Sequence, residues 1–128
     1  MNWSVLVVDD EPMARTLLRL MLVRAGFDVV EAEDGFDALD KLKDGSPDVM
    51  ILDVMMPGID GFVVCETVRS TPKTSDLPII MLSAKTDLES VNKGLELGAD
   101  KYLTKPISPE ELTRQVRDVL QERSNFQR

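Results

Sequence analysis

Five short apolar runs divide the chain: Val5–Val8, Phe27–Val30, Val49–Leu52, Ile79–Leu82 and Tyr102–Leu103. Runs this short, bounded by turn signals, read as strands, and where four apolar residues stand in a row they suit strands covered on both faces. The stretches between them carry helical spacing. Met13, Leu17, Leu20 and Met21 fall on one face after Pro12, which suits a first helical position, and Gly26 stops that helix. Asp34 caps a second helix with Ala38, Leu39 and Leu42 inward, closed by Gly45 and Pro47. A third follows Gly58-Ile59-Asp60-Gly61 with Val64, Cys65 and Val68 inward. A fourth runs from about Asp87 with Leu88, Val91 and Leu95 inward and ends at Gly98. The fifth opens on a capping box, Ser108-Pro109-Glu110-Glu111, carries Leu112, Val116, Val119 and Leu120, and is expected to end near Glu122. Strict β-α alternation predicts an α/β fold, a parallel sheet with helices on both faces. At 128 residues there is room for one such domain, expected over residues 1–123, with 124–128 as a C-terminal tail.

In an open parallel sheet, ligands sit in the crevice beyond the carboxyl ends of the strands. Asp9, Asp10 and Glu11 follow the first strand, Glu31 the second, Asp53 the third, Ser83 the fourth, and Thr104 and Lys105 the fifth. Composition narrows what they can do. There is no histidine, which removes Ser-His-Asp and Cys-His catalysis and histidine-ligated metals. The single cysteine, Cys65, can form neither an internal disulfide nor a thiolate zinc site. A net charge of −8 has the wrong sign for steering toward nucleic acid, so no direct nucleic-acid binding is expected. Val5–Val8 is too short for a signal-peptide core, and no apolar run approaches the roughly 20 residues that span a bilayer. The expectation is a soluble, cytoplasmic domain without a membrane partner.

Convergence of Asp9, Asp10 and Asp53 at one rim has a cost that points to a ligand. Two carboxylates about 5 Å apart repel by roughly 3 kcal/mol at an effective dielectric near 20. Three of them call for a cation, or their pKa values rise. An all-oxygen donor set selects a hard ion, and magnesium is the usual one where phosphate is handled. The Lys105 ammonium and Ser83 hydroxyl would serve the oxygens of a transferring phosphoryl group, and Asp53 would be the nucleophile, forming an acyl phosphate. Each residue has a plainer role available: turn-former or cap for the aspartates and Ser83, solvated charge for Lys105, core packing for Tyr102 and Met55-Met56. Their coincidence at one rim is what favours chemistry.

Four segments carry a family resemblance: Val5-Leu6-Val7-Val8-Asp9-Asp10-Glu11, Ile51-Leu52-Asp53-Val54-Met55-Met56-Pro57-Gly58-Ile59-Asp60-Gly61, Ile80-Met81-Leu82-Ser83-Ala84, and Gly98-Ala99-Asp100-Lys101-Tyr102-Leu103-Thr104-Lys105-Pro106. Together, in this order and at strand ends, they resemble the receiver domain of bacterial two-component response regulators. The resemblance implies a flavodoxin-like, doubly wound five-stranded sheet in the order 2-1-3-4-5. It implies Asp53 as phosphoacceptor, with Asp9, Asp10, Asp53 and the backbone carbonyl of Met55 holding magnesium. Ser83 then falls on the switch hydroxyl, Tyr102 on the switch aromatic, Lys105 on the family's lysine, and Lys105-Pro106 on a cis bond. Met55 and Lys85 fall on two positions that tune phosphoryl lifetime. The implied partners are a sensor histidine kinase or histidine phosphotransfer protein and a downstream effector or output domain. The chain fits either a stand-alone receiver or part of a longer regulator.

Three other readings remain. A haloacid dehalogenase-like phosphatase carries a second aspartate two residues after its nucleophile, where this chain has Met55. A flavin carrier needs a Ser/Thr/Gly-rich phosphate loop after the first strand, where Asp9-Asp10-Glu11 would repel the phosphate. A pure interaction module without chemistry would take no phosphoryl group at all.

Overall fold

The structure, a computed structural model, describes residues 2–126 and side chains as far as residue 122. Strands β1 (Ser4–Val8), β2 (Asp28–Ala32), β3 (Val49–Leu52), β4 (Ile79–Ser83) and β5 (Lys101–Thr104) alternate with helices α1 (Pro12–Arg24), α2 (Gly35–Asp44), α3 (Gly61–Ser70), α4 (Leu88–Glu96) and α5 (Pro109–Phe126). All strand pairs are parallel and the order is β2-β1-β3-β4-β5. This is the doubly wound, flavodoxin-like α/β fold expected from the alternation and the resemblance. Because side chains alternate across a strand, Val5 and Val7 feed one core and Leu6 and Val8 the other. The first core joins β1, β3 and β4 to Leu18, Leu22, Leu112, Val116 and Val119 of α1 and α5. The second takes Ala38 and Leu42 of α2 and Val64, Cys65 and Val68 of α3.

β3 and β4 are buried throughout, as expected of unbroken apolar runs. β2 is different: it begins at Asp28 rather than Phe27, and its burial alternates. Its register is set by β1, where Ser4 pairs with Asp28 and Val8 with Ala32, and an edge position leaves Val30 exposed. Glu31 consequently lies within β2 rather than after it.

Two helical faces differ from expectation. In α1, Met13 is 79% exposed, Leu17 and Leu20 are also exposed, and the buried positions are Leu18 and Leu22. Positions 17 and 18 differ by about 100° around a helix. Apolar residues occupy more than one side of α1, and the return through Phe27 turns the Leu18–Leu22 side onto the sheet. In α4, Leu88 and Leu95 are exposed, Val91 is half-buried, and Ser90 and Gly94 face inward. Small residues serve there because α4 lies close to β4 and β5.

The end of α5 is a further correction. Helix continues to Phe126, so Ser124–Phe126, expected in a tail, are helical, while Gln127 and Arg128 lie outside the described residues. No glycine or proline interrupts the sequence after Leu120, so nothing local stops the helix near Glu122. At its start, Ser108 Oγ accepts from Glu111 N (3.1 Å), but the Glu111 carboxylate turns forward to Gln115 Nε2 (2.8 Å) and Arg114. Only half of the expected capping box forms, because partners further along α5 compete for the carboxylate.

Candidate functional site

The carboxyl ends of β1, β3, β4 and β5 bring Asp9, Asp10, Asp53, Ser83 and Lys105 to one rim. Asp9 and Asp53 are the residues next after β1 and β3, and Ser83 is the last residue of β4. Backbone hydrogen bonds carry the sheet pairing one step further: Asp9 N donates to Ala32 O (3.2 Å), Asp53 N to Val8 O (3.0 Å) and Lys105 N to Ser83 O (3.0 Å). Asp9 is 1% exposed, Asp53 8% and Ser83 0%. Buried carboxylates need partners. Lys105 Nζ supplies them, donating to Asp9 Oδ2 at 2.7 Å and Asp53 Oδ2 at 3.1 Å. The remaining oxygens accept backbone N–H groups, Asp9 Oδ1 from Glu11 (3.0 Å) and Asp53 Oδ1 from Met55 (3.2 Å).

Asp9, Asp10 and Asp53 each offer a carboxylate oxygen within 4.8 Å of the others. Three carboxylates against one ammonium leave the rim strongly negative. Burial, the larger influence, raises the Asp53 pKa against the opposing pull of Lys105, and the Asp9 charge adds to the rise. Burial alone would lower Lys105, but its hydrogen bond to Asp9 and the charges of Asp53 and Asp9 raise it above the ordinary lysine range. A deprotonated lysine is therefore not available at neutral pH.

On the β4 side, Ser83 Oγ accepts from Lys85 N (3.1 Å), and the Tyr102 hydroxyl donates to the Lys85 carbonyl. Two hydrogen bonds through one backbone residue thus join the Ser83 hydroxyl to the aromatic of β5. Burial raises the Tyr102 pKa, so the hydroxyl keeps its proton. The Met55 side chain is 60% exposed at the rim, and Lys85 Nζ points to Asp87 Oδ1 (3.4 Å). The Lys105–Pro106 peptide is cis.

Sequence reasoning missed two residues that shape this rim. Arg15 donates through Nη1 to the backbone carbonyl of Asp9 (2.8 Å) and through Nε to Glu31 (3.2 Å), bracing the acidic turn against β2. An arginine in the opening turns of a helix sits at the unfavourable end of the helix dipole, which was a legible sign of a specific partner. Gly61 is the other: its N–H donates to Val54 O (2.9 Å), and a Cβ there would run into the Asp53 carbonyl.

The sequence matches the response regulator receiver domain over residues 5–117. The chain belongs to that family. It is 47% identical over 120 residues to the alkaline phosphatase synthesis transcriptional regulatory protein PhoP of Bacillus subtilis, covering 94% of this chain and 49% of that protein. It is 45% identical to the transcriptional regulatory protein AfsQ1 of Streptomyces coelicolor, covering 91% and 51%. The chain spans about half the length of the curated relatives it matches. Among solved structures, chemotaxis protein CheY4 of Vibrio cholerae superposes with a TM-score of 0.88 at 36% identity, covering 93% of this receiver and 99% of that chain. This receiver is accordingly a signalling domain of two-component systems. Among its described residues, no helix is long and apolar enough to cross a membrane.

Proposed function

We propose that this receiver is a phosphorylation-driven switch in which Asp53 takes a phosphoryl group from a phosphohistidine on a sensor kinase or histidine phosphotransfer protein. The observation that carries the reading is the Lys105 ammonium bridging Asp9 and Asp53 beside a third carboxylate, Asp10. In the transfer, an Asp53 carboxylate oxygen forms the new O–P bond while the N–P bond of the phosphohistidine breaks and its electron pair returns to the imidazole. Met55 N and Lys105 Nζ hold the carboxylate in place for attack. Lys105 then meets the phosphoryl oxygens as a fixed positive charge, and the Ser83 hydroxyl, which accepts from Lys85 N here, carries a proton it can turn to them.

The donor set fits magnesium: oxygen ligands only, clustered, with more negative charge than Lys105 neutralises. Asp9, Asp10 and Asp53, with the backbone carbonyl of Met55, would hold it. When bound, magnesium supplies positive charge to phosphoryl oxygens during transfer. Hydrolysis of the acyl phosphate, in which water attacks phosphorus and the O–P bond breaks, resets the switch. Met55 and Lys85 border that approach and neither is a general base at neutral pH, which favours slow loss. The Ser83–Lys85–Tyr102 connection carries the signal toward α4, β5 and α5. The names of the transcriptional relatives, and their doubled length, support a downstream output domain or effector and a cytoplasmic setting.

Intact mass after incubation with acetyl phosphate tests the reading. Wild type with magnesium should gain one phosphoryl group, and removal of magnesium or Asp53→Asn should abolish the gain. Undiminished labelling of the Asp53→Asn protein would overturn the assignment.

A further inference from the structure

Glycine inside a helix is unfavourable relative to alanine, so Gly94 in the interior of α4 calls for a reason. The reason is what lies beneath it. Met81 of β4 and Tyr102 of β5 are register partners, and Gly94 lies over the seam between them. A Cβ at position 94 would stand 2.7 Å from Met81 Sδ, 3.0 Å from Tyr102 Cδ2 and 3.3 Å from Tyr102 Cε2. Carbon atoms in good contact stay about 3.5–4.0 Å apart. Met81 can move its flexible thioether aside. The Tyr102 ring cannot yield without cost, because its hydroxyl is tied to the Lys85 carbonyl at the far end. Lys85 N in turn donates to Ser83 Oγ, so the position of this ring bears on the loop that follows the switch hydroxyl at the end of β4.

We propose that Gly94 is a positioning residue of the switch: the absence of a side chain at 94 lets the Tyr102 ring lie under α4 with its hydroxyl on Lys85. A side chain there drives the ring outward, breaks the Tyr102–Lys85 hydrogen bond and disconnects the β4–α4 loop from β5. The nearest atoms to a Cβ at 94 belong to Met81 and Tyr102, not to Asp9, Asp53 or Lys105, so the carboxylate–lysine cluster is not struck directly. This inference deepens the switch reading and rests on it.

The experiment uses the full chain with magnesium and beryllofluoride, followed by NMR, in wild type, Gly94→Ala and Gly94→Val. In wild type, beryllofluoride should shift amides around Asp53 and along α4 and β5, and the Tyr102 ring should give cross-relaxation to Gly94 Hα. In Gly94→Val the Asp53 shifts should persist while the α4–β5 shifts fall at least threefold and the ring resonances move toward solvent-exposed values. Gly94→Ala should change in the same direction by less, and serves if the valine protein does not fold. Melting temperatures supply a second readout. In a Tyr102→Ala background the loss caused by Gly94→Ala should shrink by half or more, since the ring it strikes is gone. An unchanged α4–β5 response in the Gly94 variants, or melting losses that simply add, would overturn the proposal. Failure of wild type to take a phosphoryl group on Asp53 overturns the parent reading instead, while the melting cycle still decides the Gly94–Tyr102 contact.

Discussion

Gly61→Ala adds a single methyl group, yet the structure assigns it a large effect. The new Cβ would stand 2.8 Å from Val54 Cα and closer still to the Asp53 carbonyl oxygen. Neither atom is the mobile end of a side chain. Asp53 N is bonded to Val8 O at 3.0 Å, Gly61 N to Val54 O at 2.9 Å, and β3 is the central strand of the sheet. Relief therefore means moving α3 or the Asp53 backbone by several tenths of an ångström. Overpacking costs about 1–3 kcal/mol, and rigid backbone on both sides argues for the upper end, about 3 kcal/mol. Replacing glycine in a helix returns at most about 1 kcal/mol, so a net loss of about 2 kcal/mol remains. For a chain of this length that lowers Tm by about 6–10 °C. Gly45→Ala is the control, because no heavy atom lies within 4 Å of a Cβ there and its φ of −166° is ordinary extended backbone. It should leave Tm unchanged or raise it slightly, through the smaller entropy of the unfolded chain. The assay is thermal unfolding of the three proteins, with acetyl phosphate labelling of each at a temperature where all are folded. Gly61→Ala should also label more slowly, since the shift moves Asp53 relative to Lys105. Equal melting of the two alanine variants would refute the claim that the α3 start presses on the Asp53 backbone.

Burial holds the Asp53 carboxyl above its usual range, so the folded state binds this proton more tightly than the unfolded chain. Stability from this group consequently falls as pH rises from about 3.9 through the raised folded value. Metal-free Asp53→Asn should thus melt above wild type at pH 7 and lose that advantage below about pH 4; identical melting at pH 7 would contradict it. Trp3 precedes β1, while Asp10 lies beyond its other end, about 20 Å away at the rise of a strand. Magnesium titration should leave tryptophan emission nearly unchanged, and saturable quenching would show that the site is nearer than that. Met55→Asn combined with Lys85→Glu places polar groups beside the approach of water, and phosphorylated protein should then decay several-fold faster than wild type. Unchanged decay, or wild-type loss within seconds, would remove these side chains from control of lifetime.

Much of the architecture was legible locally. β3 and β4 are unbroken apolar runs because both of their faces are covered, and that burial leaves its mark in the sequence. The ends of α1 and α4 were equally readable, because Gly26 and Gly98 take φ of 98° and 112°, which other residues avoid. The rim residues were legible for a topological reason. Every strand of a parallel sheet delivers its carboxyl end to the same side, so polar residues following β1, β3 and β5 had to meet.

Helix orientation was a different matter. Met13, Leu17, Leu20 and Met21 made as good a stripe in sequence as Leu18 and Leu22, and periodicity cannot choose between faces that both carry apolar residues. The sheet chose, through Phe27 and β2 pairing with β1. On α4 the apolar pattern pointed away from the truth. Leu88 and Leu95 face solvent while Ser90 and Gly94 are buried, and at Gly94 the helix comes too close to Met81 and Tyr102 for a side chain. Close approach between elements distant in sequence has no local signature. The bond from Arg15 to the Asp9 carbonyl and the join from Ser83 through Lys85 to Tyr102 likewise depend on which atoms packing brings together. The amino-acid sequence determined which chemical groups meet at the rim, through strand polarity and alternation. Tertiary packing decided which helix faces are free, how closely α4 lies on the sheet, and hence where the Tyr102 ring can go.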